Sequence, residues 1–229
     1  MKKSGKKKYN LFAILIVVMS LVCVACIGFN IISMVGSNDP SSTTSGKKEK
    51  VNLYYSIKNN ATDYQNELFN QLTDELNKEA DEYNKEEIVS LVAKSFVTDL
   101  FTWSNKDGNY DVGGIQYVYG DMHGAFEEYA KDTLYDSFDL YVSQYGWDYL
   151  PEVVSATTDV YKQETEYETY FGSYPYYYVY VSWQYKDYTA TDSSDSKVIN
   201  TKDWVSAMDL YIVEKEDGRF EVVEFYSYQ

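Results

Sequence analysis

The sequence Tyr-Pro-Tyr-Tyr-Tyr-Val-Tyr-Val-Ser-Trp-Gln-Tyr occupies residues 174–185, and its large side chains fall into two alternating sets. A period of two is typical of a β-strand, because successive side chains point to opposite faces of a sheet. Aromatic and β-branched residues also favour strands. The run therefore predicts a long strand with a core face and a second, tyrosine-rich face. The first set is Tyr176, Tyr178 and Tyr180, and the second is Tyr177, Val179, Val181, Trp183 and Tyr185.

The segments on either side of this run show weaker forms of the same alternation. Residues 153–161 alternate loosely before it, and residues 204–213 and 220–228 alternate after it. The sequence Glu216-Asp217-Gly218 between the last two segments is a strong hairpin signal. Together these segments predict a four-stranded antiparallel meander.

The chain before these strands shows helical spacing instead. From about Asp63 onward, Leu68, Leu72 and Leu76 recur every four residues, while acids and amides fill the other positions. This pattern predicts an amphipathic helix, because residues four apart lie on the same face.

Two further helices are predicted before the strands begin. Asn84, followed three residues later by a glutamate, resembles a helix-capping box and opens an apolar segment over residues 88–103. That helix should be the most buried one. A third helical segment is predicted over residues 121–145. The expected fold class is α+β, with about three helices packed on a curved four-stranded antiparallel sheet.

A membrane anchor is predicted ahead of this domain. Residues 11–35 carry no charge, and a helix of that length, at about 1.5 Å per residue, exceeds the ~30 Å hydrocarbon core. The lysines of residues 1–10 favour the cytoplasmic side. The expected layout is a basic tail (1–10), a transmembrane helix (11–35), a flexible linker (36–62) and an extracytoplasmic domain (63–229).

Two alternatives to an uncleaved anchor stay open. A basic start followed by an apolar run also describes a cleavable signal peptide, which would give a secreted product. The sequence Val24-Ala25-Cys26 partly resembles a lipoprotein cleavage site, which would give a lipid anchor at Cys26. The chain stays apolar after Cys26, which favours the transmembrane anchor. All three alternatives place the domain outside the membrane.

Charge and cysteine content limit which partners the domain can bind and which sites it can contain. Residues 1–35 hold five of the 20 Lys and Arg residues and no acid, so the rest of the chain has 15 basic against 36 acidic residues, a net charge of −21. Such a domain repels nucleic acid and anionic lipid headgroups. Cys23 and Cys26 both lie in the predicted anchor. The domain therefore has neither a disulfide nor a thiolate metal site, and we expect no cofactor.

Candidate catalytic residues are few. His123 is the only histidine, so a histidine–carboxylate pair would need it together with Asp99, Asp111 or Asp121. The simpler interpretation, which we favour, is a polar residue in the first turn of the third helix. The spacing of Asp107, Asn109 and Asp111 suits a calcium loop, but the twelfth position lacks the expected glutamate, so we predict no metal site.

The order of elements resembles that of the nuclear-transport-factor-2-like (cystatin-like cone) superfamily over residues 63–229, with the second helix ending in the sequence of residues 96–103. The resemblance implies a cone-like sheet that wraps the helices. It also implies either a ligand-binding or assembly role, or, as in a few members, isomerase or dehydratase chemistry with an Asp/His pair. The layout of short tail, single span and outer domain looks like the assembly-factor subunits of Gram-positive conjugation and type IV secretion machines.

The aromatic content is the least ordinary feature of the composition, with 26 tyrosines, ten phenylalanines and four tryptophans. Tyrosine offers a large contact area and a hydroxyl group that can form hydrogen bonds. An aromatic surface or pocket for sugars, peptidoglycan or a protein is therefore expected. The alternative is ordinary strand propensity. The candidate partner-binding residues are Trp103, Tyr117, Tyr176, Tyr178, Tyr180 and Trp183.

The function predicted from the sequence is that of a membrane-anchored, extracytoplasmic, non-catalytic binding or scaffold domain with an envelope protein or glycan as partner. A conjugation or secretion assembly subunit and a small-ligand enzyme using His123 with a carboxylate of the cone are the alternatives. A homo-oligomer also stays open.

Overall fold

A computed structural model describes residues 51–79, 82–188, 201 and 204–228. The predicted tail, the predicted membrane helix (11–35) and residues 36–50 of the predicted linker lie outside this part of the chain. Within it, no helix is both long enough and apolar enough to cross a membrane. All of the residues described belong to one unit, residues 49–229.

Two long helices begin where the sequence predicts them. Helix α1 (Asp63–Leu76) starts with a capping box in which the side chains of Thr62 and Gln65 bond each other's backbone amides. Helix α2 (Lys85–Phe101) is capped by the Asn84 side chain, which accepts hydrogen bonds from the backbone amides of Glu86 and Glu87. Both caps satisfy N–H groups that a helix start leaves without partners.

The third predicted helix is interrupted. It consists of a 3-10 turn (Gly120–Met122), helix α3 (His123–Tyr129), a π turn (Ala130–Leu134) and helix α4 (Phe138–Tyr145). The break follows from Tyr135, whose fully buried hydroxyl donates a 2.5 Å hydrogen bond to the backbone oxygen of Leu100. Apolar spacing alone does not distinguish this arrangement from one continuous helix.

The predicted antiparallel meander is confirmed. The part of the chain that the structure describes contains one four-stranded sheet in the order β1-β2-β3-β4, each strand antiparallel to the next. The first hairpin is longer than predicted, because β1 continues to Thr169 before the turn. The strands are β1 (Val153–Thr169), β2 (Gly172–Tyr185), β3 (Ala207–Glu214) and β4 (Phe220–Ser227).

The core lies between α2 and one face of the sheet, here called the inner face. Phe96 and Leu100 of α2 and Val179, Val181 and Leu210 of the sheet are all fully buried. Burial of each such side chain stabilises the fold by roughly 1.5–3 kcal/mol. As expected, α2 is the most buried helix, and the alternation along β2 leaves the first set, Tyr176, Tyr178 and Tyr180, on the opposite, outer face.

The packed domain starts before residue 63, which corrects the predicted end of the linker. The Tyr55 side chain is 5% exposed, and its hydroxyl donates to the backbone oxygen of Phe220 (2.8 Å) and accepts from the amide of Phe220 (3.1 Å). The Tyr55 ring also stacks on that of Tyr117, with 5.1 Å between centroids. Residues 51–62 thus belong to the domain, although this segment is too short to show a period.

Candidate functional site

The outer face of the sheet carries a continuous layer of tyrosines, here called the outer tyrosine surface. Strand pairing places Tyr161 opposite Tyr178, and Tyr178 opposite Tyr211. The ring centroids of these two pairs are 5.9 and 5.7 Å apart, within the range of favourable aromatic contact. The surface consists of Tyr161, Tyr167, Tyr176, Tyr178, Tyr180, Tyr211, Tyr226 and Tyr228.

Two carboxylates hold the hydroxyls of this surface in place. Tyr178 donates to Asp209 (2.7 Å), which also accepts from Tyr228. In the same way Tyr167 donates to Glu224 (2.9 Å), which also accepts from Tyr226. Each carboxylate therefore fixes two rings.

The carboxylates also favour the protonated form of these hydroxyls, the form that tyrosine already has at neutral pH. The hydrogen bond to Asp209, followed by burial, raises the pKa of Tyr178 above its usual value. Burial, followed by the hydrogen bond to Glu224, raises the pKa of Tyr167 to about 12. The rings are uncharged at neutral pH.

Of the six predicted partner-binding residues, three lie on the outer tyrosine surface and three are buried in the core. Tyr176, Tyr178 and Tyr180 lie half-buried on the outer tyrosine surface. Trp103, Tyr117 and Trp183 are 5%, 3% and 4% exposed, and this burial corrects their predicted contact with an outside partner.

Each of these three buried rings packs within the domain. Trp183 stacks on Phe101 at 4.6 Å, and Trp103 contacts the ring of Trp204 at 5.2 Å. Trp183 belongs to the β2 set that faces the core, so the alternation itself separates it from the tyrosines of the outer face.

Sequence reasoning missed five tyrosines of the surface and both carboxylates. Tyr211 lies on the outer face because it pairs with Tyr178 across β2 and β3. A register shift between β3 and β4 after Tyr211 then changes which residues of β4 point outward. Period-two counting from the Glu216–Gly218 turn does not detect such a bulge. The missed residues are Tyr161, Tyr167, Tyr211, Tyr226, Tyr228, Asp209 and Glu224.

A cavity of about 230 Å³ lies on the side of α2 away from the sheet. Its walls come from residues 56–61, from α1, from α2 and from the loop of residues 105–117, and none of its lining residues belongs to the sheet. The Gln116 side chain accepts from the Ser56 amide (2.9 Å) and donates to the Ser56 backbone oxygen (3.0 Å). This reciprocal pair holds residues 56–61 over the cavity.

Asp99 is the acidic side chain that lines the cavity. Its Oδ1 accepts a 2.8 Å hydrogen bond from Gln65, and its Oδ2 accepts a 3.5 Å one from Gln116. Burial raises the pKa of Asp99, and the positive charge of Lys106 and the two amides partly offset that effect. The carboxyl group is thus held by neutral donors, with one oxygen only weakly bonded.

Lys106 lies beside Asp99 and is 4% exposed. Its Nζ donates to the backbone oxygen of Asp99 (2.7 Å), near the C-terminal end of α2, where a cation is favourable. Burial lowers the pKa of Lys106 to about 8, and the negative charge of Asp99 opposes the shift.

Ser95 and Thr98 are buried hydroxyl residues among those that line the cavity. They are 4% and 0% exposed, and the Ser95 hydroxyl is a side-chain hydrogen-bond partner of Tyr117, whereas the Thr98 oxygen has no partner among the described residues. With Asp99 they occupy positions i, i+3 and i+4 of α2, so all three share one helix face. Buried polar groups are nearly always satisfied, so the Thr98 hydroxyl is an exception.

The predicted catalytic pair is not assembled. His123 Nε2 lies 2.7 Å from the Val118 backbone oxygen, and His123 does not line the cavity. Asp111 forms an ion pair with Lys58, and no hydrogen bond of the described residues joins His123 to Asp99 or Asp111.

Asp111 instead stabilises the loop that closes the cavity. Burial alone would raise the pKa of Asp111, but the hydrogen bonds from Lys58 and the Asp107 amide outweigh it and lower that pKa. Across the residues that are described, no group of three histidine, cysteine or acidic side chains is arranged to hold a metal ion.

Comparison with known proteins gives no relative. A scan against protein-family models found no match, and neither a search of curated proteins nor a search of solved structures found one. The function is therefore inferred from the side chains of this chain alone.

Proposed function

We propose that this protein is a membrane-anchored, extracytoplasmic binding domain that engages an envelope partner, a protein or a cell-wall glycan, through its outer tyrosine surface. The observation that supports the proposal is the layer of eight tyrosines, with mutual ring contacts, on the face of the sheet opposite the core. Tyr161, Tyr226 and Tyr228 remain about half exposed.

The surface is suited to binding because its rings are held before a partner arrives. Tyrosine supplies a large contact area with few rotatable bonds, and it is enriched among residues that dominate binding energy. Fixing the rings through Asp209 and Glu224 reduces the entropy lost on association. A patch needed only for strand formation would not need this ordering of hydroxyls.

The net charge of the chain limits which classes of partner can bind. A net charge of −21 outside residues 1–35 disfavours anionic partners and favours neutral or basic ones.

We include residues 11–35 as a transmembrane anchor with the N-terminus in the cytoplasm, and a lipid anchor at Cys26 is the alternative. Substituting Cys26 by serine leaves a transmembrane protein in the membrane but abolishes lipid attachment in the alternative.

A narrower form of the proposal assigns the protein to a conjugation or type IV secretion machine, with a cone-like fold of the nuclear-transport-factor-2-like type. The order of helices followed by an antiparallel meander supports it. The genes beside its own supply the test. Neighbouring genes for an ATPase and a relaxase are expected, and their absence counts against this narrower form.

The main test is cross-linking in cells followed by recovery of the full-length protein. A Tyr178→Ala/Tyr211→Ala variant removes the centre of the surface, and Tyr170→Ala, at a 94% exposed residue of the β1–β2 turn, is the matched control. We expect the first variant to lose an envelope protein or glycan that the wild type and the control retain. Equal recovery from all three would refute the proposal.

A further inference from the structure

We infer that the partner of the outer tyrosine surface is a cationic polypeptide, whose lysine or arginine side chains contact the tyrosine rings and the carboxylates between them. This inference rests on the proposed function and deepens it, because it chooses a basic protein over a neutral cell-wall glycan. It also specifies where on the surface the partner binds, namely around Asp209 and Glu224.

The strand register arranges the centre of the surface in two adjacent rows that cross all four strands. In the first row Tyr180 lies between two aspartates, and in the second Tyr178 lies between two tyrosines. Together the rows contain three carboxylates, five tyrosines and no basic residue. The first row is Asp159, Tyr180, Asp209 and Tyr226, and the second is Tyr161, Tyr178, Tyr211 and Glu224.

The negative charge of these rows is not paired within the domain. Neither Asp209 nor Glu224 forms an ion pair with any lysine or arginine that the structure describes, and the same is true of Asp159, which is exposed. Partners of opposite charge complement such a surface. A basic partner is also attracted from a distance by the net charge of −21 outside residues 1–35.

The carboxylates retain acceptor sites for cationic groups. Tyr178 donates to Oδ1 of Asp209 and Tyr228 donates to Oδ2, so each oxygen accepts one hydroxyl. Glu224 accepts two tyrosine hydroxyls in the same way. A carboxylate oxygen has two lone pairs, so one remains on each oxygen for a donor of the partner. Hydrogen bonds from a cationic donor to a carboxylate are roughly twice as strong as neutral ones.

One end of the surface shows how tyrosine rings of this sheet hold a cation. Lys215 Nζ lies 4.2 Å from the ring centroid of Tyr119 and 4.3 Å from that of Tyr174. The same ammonium group donates a 3.2 Å hydrogen bond to the Tyr174 hydroxyl. Tyr174 packs in one cluster with Tyr176 and Tyr211 of the surface. A tyrosine ring attracts a cation within about 6 Å of its centroid, so the neighbouring rings offer the same kind of contact to a partner.

The position of the carboxylates favours a polypeptide over an amino sugar. Asp209 and Glu224 are half-buried among the tyrosines that bond to them. Lysine and arginine carry their charge at the end of a flexible apolar stem, which can pack along a ring while the charged group reaches the carboxylate. An amine attached directly to a sugar ring has no such stem. The surface therefore fits basic side chains.

The experiment measures binding of three probes to the purified full-length protein in micelles of an uncharged detergent, by calorimetry. The probes are a peptide of alternating arginine and serine, a peptide of alternating glutamate and serine of the same length, and an N-acetylglucosamine oligomer. Salt is kept at about 0.15 M, where attraction between distant exposed charges is largely screened. We expect the arginine peptide to bind at least about tenfold more tightly than either of the others.

Matched variants separate the surface from general attraction to an acidic domain. Asp209→Asn/Glu224→Gln removes two charges but keeps the shape of both side chains, so we expect it to weaken binding of the arginine peptide by about tenfold. Asp132→Asn/Asp139→Asn removes two charges at exposed residues of the interrupted third helix. This control should change the affinity by less than about twofold.

A single variant keeps the test valid if the first double variant fails to fold, which circular dichroism would show. Asp159 is exposed, and no hydrogen bond or ion pair of the described residues involves its side chain. Asp159→Asn should therefore leave the fold intact and weaken binding of the arginine peptide by about threefold.

Three results would overturn the inference. Equal weakening by the two double variants would mean that net charge, and not this surface, attracts the peptide. Tighter binding of the glutamate peptide would contradict the charge argument. Absence of binding by the arginine peptide would exclude the cationic partner. If the glycan then binds and Tyr178→Ala abolishes that binding, the surface belongs to neutral sugars, and the proposed function stands without this inference.

Discussion

Gly113 packs directly against the backbone carbonyl group of Asp99. A Cβ atom added at residue 113 would lie 1.8 Å from that oxygen and 2.6 Å from Lys106 Nζ. The first contact is with helix backbone, which does not move aside as a flexible side chain does. The loop of residues 105–117 therefore reaches α2 at a distance that only glycine permits.

Replacement of Gly113 by alanine should destabilise the domain by about 1–3 kcal/mol or more, because the methyl group forces the loop away from α2. Gly124→Ala is the control, since a Cβ there meets nothing within 4 Å and alanine favours the helix. Urea denaturation gives both values. Equal stability of the two variants would show that the contact with Asp99 is not tight.

The Tyr55 hydroxyl provides a test of whether residues 51–62 are part of the fold. Tyr55→Phe leaves both backbone groups of Phe220 without this partner, so we expect a loss of about 1–3 kcal/mol. Tyr54→Phe is the comparison, because its hydroxyl bonds the Asp217 backbone oxygen at an exposed position. Equal losses of stability in the two variants would mean that residues 51–62 belong to the linker and not to the domain.

Thr98 and Thr102 are both fully buried on α2 or at its C-cap, but only one of them has a hydrogen bond. Thr102 accepts a 3.1 Å bond from the Val153 amide. Thr102→Val should therefore cost about 1–3 kcal/mol, whereas Thr98→Val should be neutral or stabilising by up to about 1 kcal/mol. Thermal unfolding of the ligand-free protein measures both. A large loss in Thr98→Val would mean that its hydroxyl has a partner after all.

The lysine beside Asp99 should make stability depend on pH in the alkaline range. The pKa of Lys106 is about 8 in the folded protein against 10.5 for an ordinary lysine, so the unfolded chain binds more protons between these values. Stability attributable to Lys106 therefore rises with pH across that window, by up to about 3 kcal/mol.

Comparison with Lys106→Met isolates this effect from the tyrosines and from the overall charge. The wild type should gain stability relative to the variant between pH 8 and 10.5. Lys131→Met, at a partly exposed lysine paired with Glu127, is the control for removal of one lysine charge. A constant difference between wild type and Lys106→Met across the window would contradict the burial of the ammonium group.

The regular elements of this fold are predictable from sequence because they follow local rules. The alternation in residues 174–185 gives β2 and its two faces, and Asn84 gives the start of α2. The π turn at Ala130–Leu134 is not predictable in this way. It depends on Tyr135 reaching a carbonyl group 35 residues earlier, which no local pattern encodes.

The cavity is harder to predict than the elements around it. Its walls come from four separate segments that no local sequence pattern brings together. Ser90, five residues before Ser95, is satisfied by Thr158 of β1 at 2.8 Å. Within α2 the Ser90 hydroxyl therefore has a partner in the sheet, whereas the Thr98 hydroxyl has none among the described residues. Tertiary packing, rather than sequence pattern, decides between these outcomes.

The pairing of tyrosines with Asp209 and Glu224 has a consequence for recognition. Tyr178, Tyr228, Tyr167 and Tyr226 have each committed their one hydroxyl proton to a carboxylate. What these groups still offer to solvent is oxygen lone pairs and the electron-rich faces of the rings. Around Asp209 and Glu224 the surface can thus accept hydrogen bonds but has few to donate, so a partner that binds there must bring the N–H or O–H groups that complete the contact.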